Sequence, residues 1–234
     1  MSSSLQTANG ATTTQIGFLL FPGLTQLDLT GPYEVLSRLP GGRLHLLWKD
    51  TAPVRADSGL ALVPTGTLAD APQLDVLVVP GGFGQMALMD DAEVLDFLRR
   101  QAAGARHVTS VCTGSLVLGA AGLLRGYRAA THWMYMELLP AYGAIPVDER
   151  VVVDRDRITG GGVTAGIDFG LRVLAELAGD AVAQRAQLGL EYDPHPPFAC
   201  GHPRSAPPEI VAAVREGFAA RMATRRAQAD AARR

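Results

Sequence analysis

Lysine is almost absent from this sequence, because Lys49 is the only one among the 234 residues. Chemistry that forms a Schiff base on lysine would therefore depend on that single residue. Cysteine is also scarce: Cys112 and Cys200 are the only two, and neither lies at a metal-binding spacing from the other or from a histidine. This usage predicts a protein of the reducing cytoplasm, with no disulfide framework, no metal site and no other cofactor.

Long apolar runs and a strong charge bias are also missing. No segment is apolar enough to span a bilayer, and the N-terminus lacks the charged and apolar regions of a signal peptide. The net charge of −2 gives no reason to expect binding to nucleic acid or to an anionic membrane surface. Residues 1–14 are small and polar and predict a flexible extension. The 47% apolar content suits one α/β domain over residues 15–234, ending in a helical tail.

Short apolar segments alternate with helical patterns along the chain. Strands are predicted at residues 15–21, 43–48, 74–79, 108–111 and 128–133, with hairpins at 54–63 and 151–159. Helices are predicted at 25–39, 92–103, from 116 onward, and at 134–142, 164–177, 181–190 and 209–229. This alternation is typical of an α/β fold, a doubly wound and mostly parallel sheet with helices on both of its faces.

The sharpest local feature is the junction between a predicted strand and a predicted helix at Cys112. The apolar strand at 108–111 stops, the helix rich in Leu and Ala starts at Leu116, and only a few residues lie between them. Such a junction predicts a nucleophile elbow, with Gly114 allowing close approach of the backbones. The helix N-terminus would then favour a thiolate at Cys112. The alternative is a buried structural cysteine, which packs as a small apolar residue.

Other chemically capable residues lie at predicted strand ends and at a helix start. Asp28 falls in the first turn of the helix at 25–39, where it could serve chemistry or only the helix dipole. Gly81 and Gly82 follow one strand and Gly161 follows another, which suits an oxyanion pocket or only tight turns. His132 ends a predicted strand and could act as a base or as a structural hydrogen-bonding residue.

The last predicted helix, at 209–229, contains several arginines. They are interpreted as a solvated face and not as a binding patch: Arg215, Arg221, Arg225 and Arg226.

Taken together, these motifs resemble the isocyanide hydratases, which belong to the PfpI-like branch of the class I glutamine amidotransferase-like superfamily. The resemblance covers roughly residues 15–198 and implies a flavodoxin-like core. Its motifs are Gly17-Phe-Leu-Leu-Phe-Pro22, Gln26-Leu-Asp-Leu-Thr-Gly-Pro32, Pro80-Gly-Gly82, Thr109-Ser-Val-Cys-Thr-Gly-Ser-Leu116, Thr131-His-Trp133, Thr159-Gly-Gly-Gly162 and Thr164-Ala-Gly-Ile-Asp168. Asp28 combined with Cys112-Thr113 is the more specific signal. The deglycase and chaperone branch has glutamate at the position of Asp28, and the peptidase branch has histidine at that of Thr113.

The resemblance implies that Cys112 is the nucleophile, Asp28 the acid and base, and Thr113 a supporting polar group. Gly81, Gly82, Gly161 and His132 are the candidates for substrate or oxyanion binding. The implied reaction is the hydration of an isocyanide to an N-substituted formamide through a covalent thioimidate on the cysteine. Because two anions cannot easily share one site, we expect Asp28 to hold the shared proton and Cys112 to be the thiolate.

The expected partners are a small apolar isocyanide, water, and a second copy of the chain in a homodimer. Two alternatives stay open from the sequence. The ligand-binding half of an arabinose-regulator-type transcription factor shares the elbow, but we expect no room for a DNA-reading domain after the last helix. A thiol sensor or chaperone that uses oxidation of the cysteine would need the same reactive sulfur.

Overall fold

The computed structural model describes residues 13–232. Its strands, in chain order, are β1 (Thr14–Leu19), β2 (Gly42–Trp48), β3 (Val54–Arg55), β4 (Ala61–Leu62), β5 (Gly66–Thr67), β6 (Val76–Val79), β7 (His107–Val111), β8 (Arg128–Ala129), β9 (Ile145–Pro146), β10 (Val151–Asp154) and β11 (Arg157–Gly160). Its α-helices are α1 (Gln26–Leu36), α2 (Gln85–Leu88), α3 (Ala92–Ala102), α4 (Gly114–Ala120), α5 (Ala165–Ala178), α6 (Asp180–Gly189), α7 (Pro208–Gly217) and α8 (Ala219–Ala232). A 3₁₀ helix spans Trp133–Tyr142.

Seven strands form the central sheet in the order β10-β11-β7-β6-β1-β2-β5. Every neighbouring pair is parallel except β10 with β11, which form an antiparallel hairpin at one edge. All four residues of β6 are fully buried, as expected for a central parallel strand covered on both faces. Helix α1 packs on α5, and α3 packs on α4, against the sheet. The predicted α/β fold with a flavodoxin-like, doubly wound sheet is confirmed.

The topology determines where functional side chains meet. In β1, β6, β7 and β11 the chain runs in one direction, so the carboxyl ends of these strands share one edge of the sheet. The segments that follow β6, β7 and β11 are the glycine loop at 80–84, the elbow at Cys112 and the glycines at 161–162. In an open α/β sheet, this is the edge at which ligands bind.

Several boundaries differ from the sequence prediction. The strand predicted at 128–133 is confined to the two residues of β8, and the helix predicted at 134–142 is a 3₁₀ helix. Strand β5 and the one-turn helix α2 were not predicted, because they are too short to show a periodicity. Both predicted hairpins are confirmed.

The last helix differs most. The predicted single helix at 209–229 is two helices, α7 and α8, which are separated at Phe218. The interpretation of its arginines as one solvated face is wrong for Arg225, which is only 2% exposed. Arg215, Arg221 and Arg226 are exposed as expected.

Two further expectations concern the ends of the chain and membranes. Strand β1 starts at Thr14, and residues 1–12 of the predicted extension lie outside the described residues. Within residues 13–232, no helix is both long enough and apolar enough to cross a membrane.

Candidate active site

The turn between β7 and α4 has the backbone geometry of a nucleophile elbow. Cys112 has a φ of +56°, a left-handed conformation that a residue with a side chain rarely adopts. Gly114 begins α4, and a Cβ atom there would lie 2.0 Å from the carbonyl oxygen of Val79. Only glycine therefore lets the helix start so close to the end of β6, as the sequence predicted.

Four hydrogen bonds hold the strained backbone of Cys112. Its N–H donates to the carbonyl oxygens of Gly160 at 3.1 Å and of Gly161 at 2.8 Å. Its carbonyl oxygen accepts from the hydroxyls of Ser115 at 3.1 Å and of Thr131 at 2.9 Å. The glycine run after β11 and the segment after β8 thus fix the elbow, which offsets the cost of the left-handed conformation.

Asp28 faces this elbow from the first turn of α1. The side chain is fully buried, and its Oδ2 accepts the backbone N–H of Gly81 at 3.0 Å. Its Oδ1 accepts no hydrogen bond of ordinary geometry, and the carboxyl interacts electrostatically with the Cys112 thiol. A role limited to the helix dipole does not require this burial, so the geometry favours a chemical role.

Thr113 ties the elbow to the glycine loop that follows β6. Its Oγ1 accepts the N–H of Gly82 at 3.1 Å, and the side chain is 2% exposed. The N–H groups of Gly81 and Gly82, which were oxyanion candidates, are therefore both occupied by side chains of the site. The backbone N–H of Thr113 is directed at the Cys112 sulfur and lowers the pKa of the thiol.

The protonation of the pair differs from the expected thiolate. Burial raises the pKa of Asp28 from 3.8 to about 7, against the lowering effect of the neighbouring Cys112 thiol and of the hydrogen bond from Gly81. Burial and the adjacent Asp28 carboxylate raise the pKa of the Cys112 thiol well above its usual value. Above about pH 7 the site therefore contains a carboxylate beside a thiol. The burial of the sulfur outweighs the helix N-terminus, on which the sequence prediction relied.

His132 and Gly161 support the site from the side of the 3₁₀ helix. The Nδ1 atom of His132 accepts the N–H of Met134 at 3.3 Å and so caps that helix. Burial, together with the positive charge of Arg225, lowers the pKa of His132 to about 4, so the ring is neutral near pH 7. The N–H of Gly161 donates to the carbonyl oxygen of Arg150, so Gly161 acts on the elbow through its own carbonyl group. These contacts favour structural roles for both residues.

Sequence reasoning missed Arg225 and Tyr135. The guanidinium of Arg225 lies over the Tyr135 ring at 4.0 Å and donates from Nη2 to the carbonyl oxygen of Gly82 at 3.3 Å. The spacing of Phe218, Met222, Arg225 and Ala229 was an available signal, since it places the arginine on the apolar side of α8.

A cleft of about 610 Å³ is lined in part by Thr131 and Gly161, two residues that hydrogen-bond to the Cys112 backbone, but Cys112 itself does not line it. Its walls combine apolar side chains, including Trp133, Met136 and Phe198, with a charged rim at Asp148, Glu149 and Arg150. The Cys112 side chain itself is only 6% exposed. Between residues 13 and 232, no group of three or more His, Cys, Asp or Glu side chains is arranged to hold a metal ion.

The chain is similar to known proteins over most of its length. The sequence profile of the DJ-1/PfpI family matches residues 14–176. The chain is 60% identical over 202 residues to an isonitrile hydratase of Pseudomonas putida, and the alignment covers 86% of this chain and 89% of that protein. It is 34% identical over 167 residues to the transcriptional regulator GbdR of Pseudomonas aeruginosa, covering 68% of this chain and 45% of the regulator.

Solved structures show the same fold. The crystal structure of a ThiJ/PfpI family protein from Pseudomonas syringae matches with a TM-score of 0.91 and 44% identity, over 96% of this chain and 98% of that one. Drosophila melanogaster DJ-1beta matches with a TM-score of 0.69 and 26% identity, over 77% of this chain and 98% of that one.

Proposed function

The chain belongs to the DJ-1/PfpI family, and from this membership and the site geometry we propose that it is an enzyme that hydrates organic isocyanides to N-substituted formamides. The observation that carries the proposal is the buried pair of Cys112 on the elbow and Asp28 on α1, a nucleophile with one acid and base beside it. The identity of 60% to an isonitrile hydratase supports the same reaction.

The first step is the addition of the thiol across the terminal carbon of the isocyanide. Asp28 takes the thiol proton as the Cys112 sulfur bonds to that carbon, and then delivers the proton to the same carbon. The product is a thioimidate, R–N=CH–S–Cys112, which contains every atom of the isocyanide and of the thiol. An acid whose pKa is about 7 is suited to both proton transfers near neutral pH.

The second step is hydrolysis of the thioimidate. Asp28 removes a proton from water as the oxygen attacks the imidate carbon, and then delivers that proton to the nitrogen, giving R–NH–CH(OH)–S–Cys112 and restoring the carboxylate. Cleavage of the C–S bond then forms the formyl C=O, and the hydroxyl proton returns to the sulfur through Asp28. The formamide leaves and the thiol is restored, so one carboxyl group acts in turn as base and acid.

Thr113 is proposed to hold the glycine loop that positions Asp28. Its hydroxyl binds Gly82, while the N–H of the neighbouring Gly81 binds Asp28. Gly161 is proposed to act by fixing the Cys112 backbone, and His132 by capping the 3₁₀ helix. We assign no direct proton transfer to His132, because its neutral ring already accepts a backbone hydrogen bond.

Further parts of the proposal concern the state of the protein. We propose that residues 15–234 act as one domain with a helical tail, in a homodimer. The substrate is proposed to be small and apolar, in keeping with the burial of Cys112. A cytoplasmic location would keep both free cysteines reduced.

The test is incubation of the purified protein with cyclohexyl isocyanide in ¹⁸O-labelled water, followed by mass spectrometry of the product. We expect N-cyclohexylformamide with one ¹⁸O atom, and no product from Cys112→Ser. Cys200→Ser is the matched control: this second cysteine follows Phe198 in the proline-rich segment, and it should leave turnover unchanged. A wild-type protein that forms no formamide, but whose Cys112 oxidises readily, would favour the thiol sensor instead.

A further inference from the structure

Arg225 is a buried cation in the part of the site that the proposed reaction does not use. It is 2% exposed, although it comes from α8, a helix whose other arginines face solvent. Nη2 donates to the carbonyl oxygen of Gly82, while Nε and Nη1 have no partner of ordinary hydrogen-bond geometry among the described residues, and the neighbouring Tyr135 phenol interacts with the guanidinium. A guanidinium stays charged in proteins, and a buried charge is costly unless an opposite charge compensates it.

Hydrogen bonds through the glycine loop connect Arg225 to the residue next to Cys112. Gly82, which accepts its hydrogen bond, donates its own N–H to Thr113, the residue that follows Cys112. The guanidinium also lies over the Tyr135 ring at 4.0 Å, and its positive charge lowers the pKa of Cys112. The positive charge of Arg225 therefore acts on the sulfur from the side of the glycine loop.

The other titratable groups around the Asp28–Cys112 pair do not place a buried positive charge beside it. Asp57 lies near Asp28 and its negative charge raises the pKa of that carboxyl. His132 is neutral because its pKa is lowered to about 4, and the pKa of Tyr135 is raised by burial, so that phenol is also neutral near pH 7. Arg221 is exposed on α8 and lies 4.2 Å from the Phe83 ring centre. Among these groups, Arg225 is the buried cation.

We propose that Arg225 is a positioning residue whose buried charge stabilises negative charge on the Cys112 sulfur beside Asp28. Helix α8 would then contribute a positive charge to the site, in addition to covering it as a C-terminal helix. The expected effect on turnover rests on the proposed isocyanide hydration, whereas the expected effect on ionisation of the thiol does not. The experiment can therefore refute the proposed function and the role of Arg225 independently.

The experiment measures the ultraviolet absorbance of the thiolate against pH in a Cys200→Ser background, with Cys112→Ser as the blank. Arg225→Met removes the charge, and Arg225→Gln removes it but keeps a donor for Gly82. Arg225→Lys keeps a cation. Arg226→Met is the matched control, because Arg226 is exposed and anchors the same helix through an ion pair with Glu137 at 2.6 Å.

We expect the pH of half-maximal thiolate to rise by about one pH unit in both neutral variants, roughly a tenfold loss of thiolate at a given pH. The Lys variant should recover most of the shift, and Arg226→Met should not move the midpoint. Isocyanide turnover near neutral pH should fall in both neutral variants and recover in the Lys variant, because negative charge develops on the sulfur as Asp28 takes its proton. Circular dichroism identifies variants that do not fold, and the Lys variant still tests the proposal if a neutral one fails.

Two results would overturn the proposal. One is an unchanged midpoint in a folded neutral variant, even with reduced turnover, which would leave Arg225 a structural role alone. The other is a shift in Arg225→Lys or in Arg226→Met as large as that in the neutral Arg225 variants. Packing of α8, and not the charge of Arg225, would then determine the ionisation of the thiol. If the midpoint shifts as expected but wild type hydrates no isocyanide, the proposed function fails and the role of Arg225 stands.

Discussion

The N–H of Gly81 donates to Oδ2 of Asp28 at 3.0 Å, although the two residues are 53 positions apart in the sequence. A Cβ atom at Gly81 would lie 2.8 Å from that same oxygen, so only glycine permits the approach. This single contact brings the first turn of α1 to the end of β6, beside the elbow. It fixes the carboxyl without satisfying its second oxygen, which remains available for proton transfer.

Asp28→Asn should lower the turnover number for an isocyanide by about 10²- to 10⁴-fold, the range typical for removal of a general acid and base. Asparagine has nearly the same shape and can still accept the N–H of Gly81, but it cannot shuttle a proton. The measurement is the initial rate of formamide formation at saturating isocyanide. Asp28→Glu should retain partial activity at best, because the extra methylene displaces the carboxyl.

Asp57→Asn is the control for this substitution. Asp57 is exposed, and its negative charge raises the pKa of Asp28. Its own carboxylate accepts a hydrogen bond from the Thr25 hydroxyl. Its replacement should leave the turnover number within a few-fold of wild type. Undiminished turnover in Asp28→Asn would remove the acid and base role and leave Asp28 as a residue of the helix terminus.

The same variant should change the pH dependence of stability. The pKa of Asp28 is raised from 3.8 to about 7 in the folded state, so the native protein binds this proton more tightly than the unfolded chain does. Its contribution to stability is therefore present at low pH and is lost as pH rises from about 4 to 7. Asp28→Asn removes this loss and should be more stable than wild type above pH 7, by roughly 4 kcal/mol as an upper limit.

Urea unfolding at pH 5 and pH 8 measures this difference. We expect the advantage of Asp28→Asn over wild type to grow between the two values, and Asp57→Asn to show a much smaller growth, because its charge is the smallest contribution to the raised pKa of Asp28. A constant difference at both pH values would mean that Asp28 titrates normally in the folded protein. Together with the loss of turnover, a growing advantage would mark Asp28 as a residue that contributes to activity at a cost in stability.

The sequence was sufficient for features that local chain geometry determines. A strand that ends, a cysteine, and a glycine that opens a helix within three residues admit few backbone paths, so the elbow at Cys112 was predictable. The proton distribution between Cys112 and Asp28 was not, because it depends on burial, which is a tertiary property. Arg225 was missed for a related reason: its spacing from apolar neighbours places it on the apolar side of α8, but the sequence does not indicate that this side packs toward the elbow.

Thr113→Val tests the link between the elbow and the glycine loop. Valine has nearly the same shape but leaves the buried N–H of Gly82 without its acceptor. The free energy of unfolding should fall by about 1–3 kcal/mol, the usual cost of a buried unsatisfied donor. Turnover should also fall, but less than in Asp28→Asn, because Thr113 supports the carboxyl only indirectly. Thr113→Ser restores the hydroxyl and should recover both properties; equal behaviour of the Val and Ser variants would contradict the assignment.

Gly114→Ala tests whether the elbow depends on close backbone approach. The added Cβ would lie 2.0 Å from the carbonyl oxygen of Val79 and 2.8 Å from that of Pro80, so α4 must move away from β6. We expect a loss of at least about 3 kcal/mol in the free energy of unfolding, the upper end for overpacking. Gly189→Ala in α6 is the matched control, since nothing lies within 4 Å of its Cβ position, and it should change stability by less than about 1 kcal/mol. Urea unfolding of both variants at one pH gives the comparison.

Because the moved helix would also withdraw the N–H of Thr113 from the sulfur, any folded Gly114→Ala protein should react with isocyanide more slowly than wild type. Equal unfolding midpoints for the two alanine variants would show that the start of α4 tolerates a side chain, and the elbow would then not require glycine at this position.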